Sequence, residues 1–132
     1  MPGLVCAHNH MYGILSHGMP LNSPPSNFRD FLYKFWWPYV EDKLNLEQIE
    51  AATELACIDM AKSGTTSFAD ILEAPNSIPG ALDTEAVAVR KLGLRAILSF
   101  EASERINPTN AEASVRENSE FIKKWNKKLE KN

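Results

Sequence analysis

The chain has 132 residues, 44% of them hydrophobic, 9% aromatic and 23% charged, which is typical of a globular segment able to bury one core. Fourteen basic residues against seventeen acidic ones give a net charge of −3, which argues against a nucleic-acid partner. No apolar run reaches the roughly 18 residues of a membrane helix, so no membrane partner is expected. The two cysteines are too few for a disulfide framework and favour a cytoplasmic protein.

The chain opens with an apolar segment, residues 4–10, that predicts a buried strand ending in two histidines. Residues two apart in a strand point to the same face, so His8 and His10 can bind one metal ion together. A divalent ion such as Zn²⁺ would lower the pKa of a bound water molecule to about 7. The alternative is a pair of loop-edge histidines without a ligand role. The same period places Cys6 on this face, where a small buried residue is favoured over a third ligand.

Residues 11–26 contain two glycines and three prolines, and they predict a loop of functional length rather than a short connector. A helix follows, with Asn27 as its N-cap and Asp30 in its first turn. The apolar stripe of this helix consists of Phe28, Phe31, Leu32, Phe35 and Trp36. Pro38 is expected to end or kink the helix.

The next helix has the clearest boundaries. Asn45, with Gln48 three residues later, resembles a capping box at its start. Lys62 in the last turn and Gly64 just beyond it are the usual signals of a helix end. The expected buried stripe consists of Ile49, Ala52, Ala56 and Met60.

Two further strands are predicted, one at residues 65–71 and one at residues 94–100. The helix between them ends at Gly93, and a final helix with a lysine-rich end follows a polar loop at residues 103–109. Strands that alternate with helices favour right-handed βαβ units and a parallel sheet, so the predicted fold class is α/β.

A complete (β/α)₈ TIM barrel needs about 250 residues. We therefore expect residues 1–132 to form an incomplete domain, a partial TIM barrel of about the first three βα units. A small open α/β sheet is the alternative.

Two segments resemble one enzyme family. The opening M-P-G-L-V-C-A-H-N-H, residues 1–10, resembles the P-G-(L/F)-(I/V)-x-x-H-x-H start of the amidohydrolase superfamily. Residues 60–70, M-A-K-S-G-T-T-S-F-A-D, are similar to a helix-to-strand segment of its aminohydrolase and chlorohydrolase branch. That branch includes guanine, 8-oxoguanine and S-adenosylhomocysteine deaminases and the triazine hydrolases. Residues 74–82 and 93–98 look most like its SsnA-like members, and the resemblance covers residues 2–125.

The resemblance implies a (β/α)₈ barrel beside a small β-sandwich, with one divalent metal ion, Zn²⁺ or Fe²⁺. It implies that His8 and His10 are metal ligands, and that hydroxide attacks a ring carbon carrying an amino or halide group. The expected function is hydrolysis of C–N or C–Cl bonds in a small heteroaromatic or nucleobase-like substrate. The family's remaining histidines, glutamate and aspartate come from later strands and have no match here, since the third histidine of the chain is His17. No catalytic residue is therefore assigned, and this fragment is expected to be inactive alone.

The resemblance also implies substrate contacts in the loop after the first strand. Tyr12 and His17 could contact a heteroaromatic ring there, with a solvent-facing loop as the alternative. Asp30 and Phe31 lie where related nucleoside deaminases carry an acidic and an aromatic substrate contact. The helix dipole explains Asp30 equally well.

Other candidates have a structural alternative that is favoured. Trp36 and Trp37 are interpreted as core or interface anchors. Glu73 and Glu101 follow the second and third strands, where they could line a pocket, but solvated loop carboxylates are favoured. Asp70 does not correspond to the water-activating aspartate of the family and is expected to bond nearby backbone.

The alternative function is a non-catalytic α/β fragment, or a subunit that pairs with another half-barrel. A half-barrel exposes sheet edges and apolar faces, so pairing with the remainder of the barrel or homo-oligomerisation is possible. A small metal-binding module without chemistry is a third hypothesis.

Overall fold

A parallel three-stranded sheet forms the centre of the molecule. In the computed structural model, which describes residues 1–21 and 23–129, the strands are β1 at Leu4–Asn9, β2 at Thr65–Leu72 and β3 at Arg95–Phe100. The strands lie side by side in chain order. The predicted α/β class and the three parallel strands are therefore confirmed, and all three strands end at the same edge of the sheet.

Helices connect the strands and cover one face of the sheet. They are α1 at Phe28–Phe31, α2 at Leu46–Lys62, α3 at Ala81–Leu92 and α4 at Pro108–Leu129. The capping box of α2 is confirmed, because Asn45 and Gln48 exchange two hydrogen bonds of 2.9 Å. Gly64 follows α2 with φ at +84°, a left-handed conformation that glycine adopts without steric cost. Across the described residues, no helix combines the length and apolar character that a bilayer crossing requires.

The segment after β1 is more ordered than its glycines and prolines suggest. Met11–Ser16 forms a 3-10 helix, so the prediction of a loop throughout residues 11–26 was wrong. Met11 and Tyr12 are each 2% exposed, and the segment packs against α2. Burial of these apolar side chains outweighs the local preference for a loop.

The aromatic helix also differs from expectation. Asn27 caps α1 as predicted, since its side chain accepts a hydrogen bond of 2.9 Å from the Asp30 N–H. The chain then continues through a π-helical segment, Leu32–Val40, and a 3-10 turn, Glu41–Lys43, so Pro38 neither ends nor interrupts it. The wider π turn accommodates a ring that would clash with a carbonyl in an α-helix.

The two faces of the sheet have different environments. On the helix-covered face, Phe68, Asp70 and Leu72 of β2 are buried in alternation. On the same sheet, Val5 and Ile97 are 72% and 74% exposed. The helices therefore fix one face of the sheet and the carboxyl ends of its strands.

Candidate functional site

The two histidines of the opening motif lie together where β1 ends. The ring centroids of His8 and His10 are 4.9 Å apart and the rings are nearly perpendicular. The Nδ1 atom of His10 lies 2.8 Å from the carbonyl oxygen of Ile71, at the end of β2. An imidazole that donates from Nδ1 to a carbonyl keeps a lone pair on Nε2, which is the usual state of a metal-binding histidine.

Cys6 does not share the face of the histidines, so that expectation was wrong. Cys6 pairs with Phe68 and Asn9 pairs with Asp70. Between these two pairs β1 advances by three residues while β2 advances by two. This extra residue is a β-bulge, and it moves Cys6 to the opposite face. Cys6 packs there against a buried cluster under the helices, formed by Met11, Ala56, Cys57, Phe68 and Val89. Within residues 1–21 and 23–129, no three His, Cys, Asp or Glu side chains are grouped to hold a metal ion.

Asp70 holds the backbone just beyond the histidines. Its carboxylate oxygen Oδ1 accepts a hydrogen bond of 2.8 Å from the Met11 N–H, and the residue is 1% exposed. Asp70 therefore bonds backbone as predicted, but its partner lies 59 residues away in the chain and not beside it in sequence. Asp70 of β2 thus bonds the backbone of Met11, and the next residue of β2, Ile71, bonds the side chain of His10, which precedes Met11.

A groove of about 370 Å³ opens beside His10 at the carboxyl ends of the strands. Its lining is aromatic and acidic, and comprises His10, Tyr12, Phe28, Phe31, Leu32, Trp36, Trp37, Glu41, Glu73 and Glu101. The rings of Phe31 and Trp36 are stacked, with centroids 5.5 Å apart. The groove therefore offers flat apolar walls and several carboxyl groups next to a histidine pair.

Tyr12 forms part of the groove wall. Its phenol donates a hydrogen bond of 2.9 Å to the carboxylate oxygen Oε1 of Glu41, and its ring lies 5.7 Å from that of His10. Burial, followed by the charge of Glu41, raises the pKa of Tyr12 well above its ordinary value. The phenol is therefore a constant hydrogen-bond donor at the edge of the histidine pair.

The other two polar candidates of this region lie elsewhere. His17 is exposed and lines, together with His10 and Met11, a second hollow of about 480 Å³ on the α2 side of the first 3-10 helix. Asp30 forms an ion pair of 3.0 Å with Lys34 and lines a third cavity. The structure thus brings Tyr12 and Phe31 into the groove with His10, and places His17 and Asp30 outside it.

An arginine that sequence inspection did not single out connects the acidic side chains. Arg105 donates hydrogen bonds to Glu73 (2.8 Å), Asp42 (2.9 Å) and Glu41 (3.2 Å). Its guanidinium carbon also lies 4.8 Å from the ring centroid of Trp37. Glu73 is 4% exposed, so its interpretation as a solvated loop carboxylate was wrong, whereas Glu101 is exposed. A lone arginine in a polar loop carries no sequence signal for such long-range pairing.

The carboxyl groups near Arg105 outnumber their cation. Burial, followed by the charge of Glu73, raises the pKa of Glu41 to about 8, although Tyr12 and Arg105 oppose this shift. The exposed carboxyl group of Glu101 leaves the groove an acceptor for ligands that bring hydroxyl or amino donors. Its aromatic walls favour a flat ring.

Comparison with known proteins gives a consistent result. A family model described as Amidohydrolase family matches residues 1–131. A 5'-deoxyadenosine deaminase of Methanosarcina acetivorans is 36% identical over 125 residues, which are 95% of this chain and 26% of the relative. The 5-methylthioadenosine/S-adenosylhomocysteine deaminase 2 of Archaeoglobus fulgidus is 34% identical over 126 residues, or 96% and 27%. The chain therefore spans about a quarter of the length of these curated relatives.

Proposed function

The chain belongs to the amidohydrolase family, and we propose that it contributes the first three βα units of a metal-dependent (β/α)₈ barrel that hydrolyses C–N bonds. The observation that carries this proposal is the pairing of His8 with His10 at the carboxyl end of β1. Catalytic groups of such barrels lie at this end of the strands. The adjoining groove extends across the ends of all three strands.

His8 and His10 fit a divalent metal ion as two of its ligands. The bond between His10 Nδ1 and the Ile71 carbonyl orients the ring and frees Nε2 for coordination. Imidazole nitrogens suit both Zn²⁺ and Fe²⁺. Such an ion makes hydroxide available near neutral pH by lowering the pKa of water. Because metal sites in enzymes use three or more protein ligands, the proposal requires at least one further ligand from outside this set.

The proposed substrate is a small aminopurine nucleoside. Two relatives are named as deaminases of 5'-deoxyadenosine and of 5-methylthioadenosine or S-adenosylhomocysteine, which favours loss of an amino group over loss of chloride. The stacked rings of Phe31 and Trp36 provide a surface for a flat base. The exposed carboxyl group of Glu101 provides an acceptor for a sugar hydroxyl. Tyr12 stays a proposed contact at the edge of the groove, and His17 a more distant one.

We also propose that further strands complete the sheet and that the chain alone does not catalyse the reaction. Val5 and Ile97 are large apolar residues that stand more than 70% exposed on the sheet, and exposed apolar surface of this kind favours a covering partner. The completing strands can belong to the same polypeptide or to another half-barrel. Pairing of two copies is a further form of the same proposal.

Zinc binding and deaminase activity test these proposals on the chain as it stands. We expect isothermal titration calorimetry to detect weak Zn²⁺ binding that the double variant His8→Ala/His10→Ala abolishes and the control His17→Ala keeps. Undiminished binding in the double variant would disprove the metal site. We expect no deamination of 5'-deoxyadenosine with added Zn²⁺. A chelator-sensitive activity lost in the double variant would show instead that the site is complete in this chain.

A further inference from the structure

Two buried carboxyl groups lie close together on the helix-covered face of the sheet. Asp70 of β2 and Glu85 of α3 are each 1% exposed, and they are close enough for each to shift the pKa of the other. Among the described residues, Asp70 Oδ2 and Glu85 Oε2 have no hydrogen-bond donor. Two ionised carboxylates in contact in a buried site would repel each other and leave both oxygens unsatisfied.

We propose that Glu85 carries a proton that it shares with Asp70, and that this pair is a positioning device for His10. A single proton between the carboxyl groups gives both unsatisfied oxygens a partner. Asp70 is then free to keep its negative charge and its hydrogen bond to the Met11 N–H.

The surroundings assign the proton to Glu85. Burial, followed by the charge of Asp70, raises the pKa of Glu85 well above its ordinary value. Burial also raises the pKa of Asp70, but its hydrogen bonds with Glu85 and with the Met11 N–H favour its charged form. On the α2 side, the thiol of Cys57 has a pKa raised by burial to about 11 and stays neutral at physiological pH.

The Asp70–Glu85 pair is connected to the candidate site through strand β2. Asp70 holds the Met11 N–H, and the adjacent Ile71 carbonyl holds Nδ1 of His10, both at 2.8 Å. A carboxylate that turned away from Met11 would release the backbone that follows His10. This inference rests on the proposed function only in taking His10 as a metal ligand, because the shared proton exists without a metal.

The test compares Glu85→Gln and Glu85→Leu in the metal-free chain at neutral pH. The Gln side chain can donate to Asp70 as the protonated Glu does, whereas Leu cannot. Leu82→Ala, on the same helix and equally buried, is the control for general destabilisation. Hydrogen exchange reports on the Met11 amide, and ¹⁵N chemical shifts of the imidazole report on the tautomer of His10.

We expect Glu85→Gln to keep the protection of the Met11 amide and the Nδ1–H tautomer of His10. In Glu85→Leu, the Met11 amide should exchange roughly tenfold faster than its loss of global stability explains, because a hydrogen bond to a charged group is weakened. The positioning role is overturned if the Met11 amide of Glu85→Leu, after correction for global stability, exchanges no faster than the Met11 amide of Leu82→Ala. A Gln variant that behaves like the Leu variant overturns the shared proton.

Infrared spectroscopy keeps the proposal testable if Glu85→Leu does not fold. We expect a carbonyl band of a protonated carboxylic acid at neutral pH that disappears in Glu85→Gln. Glu41→Gln identifies any separate band from Glu41, whose pKa is also raised. Identical parent and Glu85→Gln spectra overturn the proposal. Failure of the parent chain to bind Zn²⁺ would disprove the metal site but leave these outcomes unchanged.

Discussion

Arg105 donates from Nε to the carboxylate oxygen Oε1 of Glu73 at 2.8 Å, and this bond joins the segment after β3 to the end of β2. Both side chains are nearly buried, with 11% and 5% of their surfaces exposed. The same guanidinium reaches Glu41 and Asp42 beyond the π-helical segment. One cation therefore fixes the relative positions of three segments that form the candidate groove.

Removal of this cation should destabilise the fold strongly. Arg105→Met leaves the buried carboxylates of Glu73 and Glu41 unpaired, so we expect a loss of about 3 kcal/mol in the free energy of unfolding measured with urea. The loss should be smaller at pH 5 than at pH 8, since Glu41, whose pKa is raised to about 8, is protonated at pH 5 and needs no cation there. Adding Glu73→Gln should recover part of the stability. A loss below about 1 kcal/mol at pH 8 would show that the Arg105 network contributes little to the free energy of unfolding.

Glu41 gives the fold a specific dependence on pH. Its folded-state pKa of about 8 lies above the ordinary value of 4.5. The stability contributed by its protonation is therefore complete below about pH 4.5 and is lost as the pH rises through about 8. We expect the parent to lose more stability than Glu41→Gln between pH 5 and pH 8.5, because the amide does not ionise. Urea unfolding at both pH values measures this difference.

The control for that experiment is Glu47→Gln, which changes an exposed carboxyl group in the first turn of α2. Its profile should run parallel to that of the parent. If the stability of Glu41→Gln also changes with pH in parallel with that of the parent, Glu41 is ionised in the folded chain and its pKa is not raised.

Several features of this fold could be predicted because they depend on neighbouring residues. The capping box of Asn45 and Gln48 and the end of α2 at Gly64 use contacts within one or two helical turns. The proximity of His8 and His10 follows from the two-residue period of a strand. These features survive folding because distant parts of the chain do not change them.

Features that depend on distant partners could not be predicted in this way. The bulge that moves Cys6 away from the histidines exists only in the register between β1 and β2. Arg105 meets Glu41 and Glu73 across 64 and 32 residues of sequence. Burial of Met11 and Tyr12, which makes the segment after β1 helical, requires α2 to be in place. Local propensity contains no information about such partners.

A carboxylate from α4 should control the stability of α3, the helix that carries Glu85. Glu117 is buried and accepts hydrogen bonds from the N–H groups of Gly80 and Leu82 at the start of α3. Glu117→Ala leaves these donors without an acceptor and removes a negative charge from the helix N-terminus. We expect a loss of about 2 to 3 kcal/mol in urea unfolding. The exposed Glu120→Ala should change stability by less than about 0.5 kcal/mol, and an equal effect of both would contradict the role of Glu117.

The bulge in β1 implies that Cys6 takes no part in metal binding. Because Cys6 lies on the helix-covered face and the histidines on the other, Cys6→Ala should keep the Zn²⁺ affinity of the parent within about twofold. His8→Ala and His10→Ala should each weaken it by roughly tenfold or more, since each removes a proposed nitrogen ligand. Calorimetric titration at pH 7.5 measures all three affinities, and circular dichroism checks that each variant keeps the fold. A drop in Cys6→Ala as large as that in His8→Ala would place the thiol in the metal site. It would also mean that β1 pairs with β2 without the extra residue.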